Sequence, residues 1–330
     1  MNVLASEKFG SFGGVSLRQN SKEQPTFLTP VDYTFSVWGI IFLFQGLFSI
    51  YQVIPCFQNS HTGVSRARFW VIVLYILNSL WLVVFSHKQY WLALALMLIM
   101  DVSLVMIYRL MKINYGAVDL AQSASMLLPS VVIEDKEHTL DRLSGSEKFS
   151  GMLLHPWPVK LLCFVGFSTN ISWLVVSSVV DILVATGSSG WHQAYTSLIQ
   201  SPHNGTVMVP TVAYVNGDPH FVVAAVCIVA LIACVLAVRN CDIPYALVTI
   251  WALWGVNRAQ VSKAPEGFPE VAMSKSIADW TAAMIIVVFI SVGIGLVKAI
   301  VEIIYVRKVM KQSENDDKMQ YTSIGTPQYK

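Results

Sequence analysis

Seven apolar runs, most of them about as long as the hydrocarbon core of a bilayer is thick, constrain this chain more than any other feature. They lie at residues 34–54, 69–85, 90–108, 161–180, 221–238, 243–256 and 280–297. About 20 apolar residues cross the core as a helix, which satisfies its own backbone hydrogen bonds where no water can. The predicted fold is therefore an all-α, polytopic transmembrane helix bundle of about seven spans over residues 34–304. A polar N-terminal tail, 1–33, precedes it, and a cytosolic C-terminal tail, 305–330, follows. The sixth run is short, and its Trp251 and Trp254 set it near the membrane interface.

Composition supports a membrane class. Hydrophobic residues make up 55% of the chain, charged residues 13%, and the mean hydropathy is +0.57, too apolar for a soluble domain of this length. A net charge of +2, without a block of Lys and Arg, argues against nucleic acid as a partner. The first 33 residues hold no apolar run, so no cleavable signal is expected. The five cysteines, Cys56, Cys163, Cys227, Cys234 and Cys241, have neither a Cys-x-x-Cys pair nor a nearby His cluster. Neither a disulfide framework nor a metal site is predicted, and no cofactor. No histidine lies mid-span to ligate a heme.

The first span is the best punctuated. Between Asp32 and Arg66 no charged residue occurs; Pro30 suits the lead-in to a helix, and Pro55 closes its far end. Trp38, Phe42, Gln45, Ser49 and Gln52 recur at helical spacing, placing aromatic and amide groups on one face. The second span repeats the pattern with Tyr75, Asn78, Trp81 and Phe85. Amides and hydroxyls are costly in hydrocarbon without partners, so both faces should turn inward. Such faces serve equally as packing surfaces or as walls of an apolar, aromatic-lined ligand site with a few polar handles.

One charged position lies deep in a span, Asp101 in the third, and another, Lys298, follows the end of the seventh run. An intramembrane carboxylate is a functional candidate by default. Asn170, Trp173, Ser177 and Asp181 form a polar stripe that could face it. Lys298 invites a Schiff-base reading, but Glu302 four residues on makes pairing and snorkelling sufficient. Trp251, Trp254 and Arg258, at i, i+3 and i+7, fit either a carboxylate clamp above two indoles or an interfacial aromatic belt.

Orientation follows from Lys and Arg, which accumulate in cytosolic loops. An outside or luminal N-terminus puts fourteen of them inside and seven outside. The loop from Asp181 to His220 carries neither Lys nor Arg, and it contains Asn204-Gly205-Thr206, an N-glycosylation pattern. Asn170-Ile171-Ser172 fits the same pattern but lies within a span. The organelle stays open.

Three segments together resemble the TspO/MBR family of translocator and tryptophan-rich sensory proteins. The first runs from Leu28 through Phe35 to Trp38, with Tyr51-Gln52 and Pro55 at the helix end. The second is Leu77-Asn78-Ser79-Leu80-Trp81-Leu82-Val83-Val84-Phe85, and the third is Trp251-Ala252-Leu253-Trp254-Gly255-Val256. The resemblance covers Pro30 to Tyr108 well and Leu161 to Val180 loosely, with the later helices an addition to a five-helix core. It implies a tetrapyrrole or sterol-like ligand stacked on Trp38 and Trp81, with Asn78 as a hydrogen-bonding handle. Candidate ligand-binding residues are Phe35, Trp38, Gln45, Asn78, Trp81, Phe85, Asp101, Trp251, Trp254 and Arg258.

The function so read is binding, and by extension transport, of a hydrophobic ligand; the alternative is a seven-helix receptor. That alternative lacks an Asp-Arg-Tyr motif after the third span and an Asn-Pro-x-x-Tyr motif in the seventh. No nucleophile-and-base constellation is present, so no catalytic residue is predicted. The expected partners are the small hydrophobic ligand and membrane lipid, and a homodimer is compatible with the sequence.

Overall fold

A computed structural model describes residues 15, 17–53, 62–110, 156–200, 208–261 and 274–323. Short α1, Leu17–Glu23, and a 3-10 turn, Asp32–Ser36, lead into α2, Val37–Val53. Then come α3, Thr62–Ser86, α4, Tyr90–Leu110, and α5, Pro156–Ser188. A two-stranded antiparallel hairpin, β1 His192–Gln200 and β2 Met208–Asn216, precedes α6, Pro219–Asn240, α7, Ile243–Val261, and α8, Lys275–Ser323.

Helix boundaries follow local chemistry. Pro156 opens α5 where a missing N–H is harmless. Asp218 caps α6 by accepting from the N–H groups of His220 and Phe221, with Pro219 at the first helical position. Among the described residues six helices are long and apolar enough to cross a membrane, and the protein is an integral multi-pass membrane protein. α7 falls below that hydropathy because it is screened by protein. Ten of its 19 residues are buried, among them Tyr245, Thr249, Gly255 and Gln260, so it is longer than its apolar run and tolerates polar groups.

α5 is the central post. It packs on α2, α4, α6 and α7, and 56% of its span is buried, against 28% for α2, α3 and α8. On one side α2, α3 and α4 enclose a cluster of Phe48, Leu74, Met97, Met100, Phe167 and Leu174. On the other, α6, α7 and α8 pack through small and branched residues such as Ala230, Ala233, Ala237, Ala246, Val288 and Val292. Gly295 faces the Ala237 carbonyl so closely that a Cβ there would clash, which fixes the separation of α6 and α8.

Three regions depart from the sequence reading. The stretch read as a free polar tail contains a helix, α1, and from residue 20 onward it folds into a strap across one end of the bundle. Asn20 is buried, donating to the Phe85 carbonyl at 2.8 Å and accepting from Tyr90 Oη at 2.6 Å. Thr26 pairs with Asn216 at the hairpin base, Gln260 Nε2 donates to the Phe27 carbonyl at 2.9 Å, and Val31 N donates to the Gly255 carbonyl at 3.3 Å. Phe27 and Leu28 are buried, and apolar side chains interleaved with polar ones hide such packing from hydropathy.

The loop between the fourth and fifth spans contains the hairpin, registered from His192 opposite Asn216 to Gln200 opposite Met208. The polar C-terminal tail continues α8, since no glycine or proline lies between Gly295 and Gly325 to stop it. At about 1.5 Å per residue, a helix of 49 residues is about 70 Å long, more than twice a hydrocarbon core of about 30 Å.

Candidate functional site

The two predicted faces share one core through Trp38 on α2 and Tyr75 and Trp81 on α3, while Phe35 and Phe42 are exposed. α2 rests on α5 and α3 on α4, while among the described residues the backbones of α2 and α3 scarcely approach each other. Side chains occupy the seam: Tyr75 Oη lies 3.3 Å from Ser49 Oγ and donates to the Gln45 carbonyl at 3.4 Å. Trp38 on α2 and Trp81 on α3 are half-buried, and both pack against the Phe48–Met97–Phe167 cluster.

Ring geometry fixes each wall. Trp38 stacks on Phe42 at 5.2 Å and 16°, as an i, i+4 pair on one helix face allows, and meets Trp173 of α5 edge-on at 6.3 Å. Phe35 approaches the same Trp173 at 5.7 Å. Trp81 stacks on Phe85 at 5.0 Å and 25°, and Phe85 meets Tyr90 edge-on at 5.7 Å. Asn78 is half-buried one turn before Trp81.

Polar groups reach the seam from α4 and α5. Trp81 Nε1 donates to Asp181 Oδ2 at 2.8 Å, and Ser178 Oγ donates to Asp101 Oδ2 at 2.6 Å. Ser178 and Asp181 are one helical turn apart, so α5 presents both contacts along one face. The predicted stripe is one residue out of register at this point, since Ser178 rather than Ser177 meets Asp101. Asp101 Oδ1, Gln45 Nε2, Asn170 Oδ1 and Trp173 Nε1 are buried and have no hydrogen-bond partner. Buried polar atoms are nearly always paired, so four orphans on three adjoining helices mark this side of the bundle.

Asp181 is the residue that sequence reasoning undervalues. Ending the fourth span at Val180 puts Asp181 at a helix end, whereas α5 runs to Ser188 and buries it to 4% exposure. The signal was available: Ile182-Leu183-Val184-Ala185 continues the apolar run with no helix breaker. Trp173 and Asn170, both on the stripe, likewise join the site.

Trp251, Trp254 and Arg258 lie elsewhere. All three are exposed on α7, because the face carrying Ala252, Leu253 and Val256 takes the buried side. Trp251 Nε1 donates to the Thr34 carbonyl at 2.9 Å, and the Arg258 guanidinium sits 5.9 Å from the Trp254 ring centre. This is the arrangement of an interfacial aromatic belt. Lys298 Nζ donates to the Val238 and Arg239 carbonyls at 3.2 and 3.0 Å, capping α6, with Glu302 at 3.9 Å. Asn204 lies outside the described residues.

A second polar centre holds the opposite end of α5. Asp242, fully buried, accepts from Ser168 Oγ, from Tyr108 Oη at 2.8 Å and from the Tyr245 N–H at 3.1 Å. It thereby caps α7 and ties α4, α5 and the α6–α7 turn together. Burial pushes its carboxyl above the ordinary carboxylate range, and the three donors pull the other way.

A family model described as TSPO-like protein matches residues 1–294. The match takes in all three motif-bearing segments and runs through α6, α7 and the first part of α8, so these helices belong to the matched unit. No curated protein and no solved structure matches the chain.

Proposed function

The chain belongs to the TSPO-like protein family, and from that premise we propose that it binds, and moves as cargo, a flat hydrophobic ligand of the tetrapyrrole or sterol-like kind. The ligand stacks in the α2–α3 seam between Trp38 and Trp81, with Asn78 as a polar handle. The observation that carries this reading is that two indoles from different helices border one core while the helix backbones stand apart. Planar apolar ligands gain most from paired ring faces. Phe35, Phe42 and Phe85 back the indoles, and Asp181 orients Trp81 through its ring N–H.

The reaction class is binding without turnover, so ligand recovered after incubation should be unaltered. Trp38→Ala combined with Trp81→Ala should weaken binding of porphyrin and sterol probes at least tenfold, since each indole supplies a large stacking area. Unchanged affinity in the folded double variant would sink the site. We further propose an outside or luminal N-terminus and a cytosolic C-terminus, supported by the Lys and Arg distribution. A tag at residue 330 that labels only from the outside would overturn it.

A further inference from the structure

Resting on the seam as the ligand site, we propose that the seam loads its ligand together with one proton, which a carboxyl pair within the membrane, Asp101 and Asp181, takes from solution. Ligand occupancy and proton occupancy are thereby coupled.

Geometry sets this pair apart from the other carboxyl that the bundle encloses. Asp242 caps a helix and receives three donors. Asp101 and Asp181 cap nothing and receive one donor each, Ser178 Oγ at 2.6 Å and Trp81 Nε1 at 2.8 Å, and Asp101 Oδ1 is buried without a partner. α4 and α5 run antiparallel: Trp91 Nε1 donates to Ser189 Oγ at 2.9 Å near one end, and Tyr108 and Ser168 converge on Asp242 near the other. Asp101 lies midway along α4, so at about 1.5 Å per residue it is about 15 Å from either end of that helix. Asp181, 4% exposed, follows Ser178 by one turn. Both carboxyls therefore sit well inside the membrane, and neither is needed to close a helix end.

No cation balances the pair. Among the described residues every Lys and Arg lies toward an end of the bundle, and Lys298 is held by the α6 carbonyls. Two neighbouring carboxylates in hydrocarbon without a countercharge are costly, and one proton removes much of that cost. Trp81 ties the pair to the ligand. Its indole packs against the Phe48–Met97–Phe167 cluster, and its N–H, which can only donate, is fixed on Asp181. A ligand stacked on Trp81 covers this side of the bundle and expels water from it. A carboxylate suffers from that loss of water and a protonated carboxyl scarcely does, so the filled seam takes up a proton. By reciprocity, the protonated pair binds the ligand better. The proton passes from bulk water to a carboxylate oxygen, and Asp101 Oδ1 is the oxygen left free to hold it. The other titratable groups on the elements packed against α4 and α5 are phenols and thiols: Tyr75 on α3, Tyr245 on α7, Tyr214 on β2, and Cys227 and Cys234 on α6, with Tyr90 and Tyr108 on α4 itself. Phenols and thiols ordinarily titrate above neutrality. α2 carries no titratable side chain among residues 37–50. His87, His192 and His220 are exposed at the hairpin end of the bundle.

The test uses the full-length protein in nanodiscs and two probes without a free carboxyl, cholesterol and protoporphyrin IX dimethyl ester. From about pH 8 to about pH 5.5 the affinity of the native protein should rise about tenfold, since linkage to one proton allows up to about tenfold per pH unit. Near the midpoint of that rise, weakly buffered samples should take up as much as about one proton per bound probe. The infrared difference spectrum on probe addition should gain a carboxylic-acid C=O band. Asp101→Asn with Asp181→Asn, uncharged at every pH, should flatten the affinity profile and abolish both the uptake and the band, whatever affinity it keeps. A flat profile in the native protein, or a difference spectrum without the carboxylic band, overturns the coupling without requiring any variant. A profile that persists in the double variant overturns it too, and moves the pH dependence to the histidines. If instead Trp38→Ala with Trp81→Ala leaves probe binding unchanged at a single pH, the ligand site itself is misplaced.

Discussion

The two halves of the bundle, divided by α5, are built on opposite rules. In the α6–α7–α8 half the buried Thr249, Gln260, Thr281 and Ser291 are all paired, and among the described residues the one unpartnered hydroxyl set against it is Thr34 Oγ1, beside Gly255. Thr249 meets Ser172, Asn257 donates to the Ala278 carbonyl and to Thr281, and Gln260 bridges Phe27 and Ser274. Its apolar contacts are mostly alanines and branched residues, with Phe27 and Tyr245 the rings among the buried ones. The α2–α3–α4 half is packed with Met and aromatic rings and leaves Gln45 and Asp101 with unpaired atoms, as do Asn170 and Trp173 on the adjoining face of α5. Small residues give close, unyielding helix contacts, whereas methionines and rings adapt their shape. One half maintains the fold; the other is equipped to accommodate something.

The severest way to break that contrast is to open the closed half. Asp242→Ala strips the cap from α7 and leaves the Ser168 and Tyr108 hydroxyls and the Tyr245 N–H without their acceptor. It should cost about 3–5 kcal/mol, seen as a large drop in apparent melting temperature in detergent. A melting temperature close to the native one would show that the knot is not structural.

A finer test compares packing tolerance. Ala233→Leu, in the α6 seam, should destabilise by about 1–3 kcal/mol, while Met100→Leu in the adaptable half should cost less than about 1.5 kcal/mol. Equal losses would erase the distinction between the halves.

The smallest effect concerns the strap. Lys88 holds the Glu23 carboxyl below its ordinary value, chiefly by a direct hydrogen bond, with Gln19 assisting. A lowered folded-state value means that the contribution is present above the ordinary glutamate range and fades as pH falls through the lowered value. Protease susceptibility of residues 17–31 should rise modestly on acidification below about pH 4, and Lys88→Met should raise it at neutral pH. An unchanged cleavage rate in Lys88→Met would remove the ion pair from the strap's support.

Much of the architecture was legible because long apolar runs carry their own meaning in a bilayer. The seam was legible too, since Trp38, Gln45, Asn78 and Trp81 repeat at helical spacing on segments too apolar to be anything but spans. What escaped depends on partners distant in sequence. Asp181 becomes central only when Trp81, a hundred residues away, donates to it. The strap buries short apolar pairs such as Phe27-Leu28, which no span-length window detects. α7 looked marginal because hydropathy measures fitness for lipid, and this helix mostly touches protein.

The strap has a consequence for biosynthesis. Its residues are made before the elements that fasten it, which include Asn216, Gly255 and Gln260, and the Phe27–Gln260 contact spans 233 positions. It cannot settle until α7 has been made and threaded, so a segment made before all the spans is among the last to find its place. Until then Phe27 and Leu28 stay uncovered, and a chain stalled before α7 would reach quality control with its strap still unfastened.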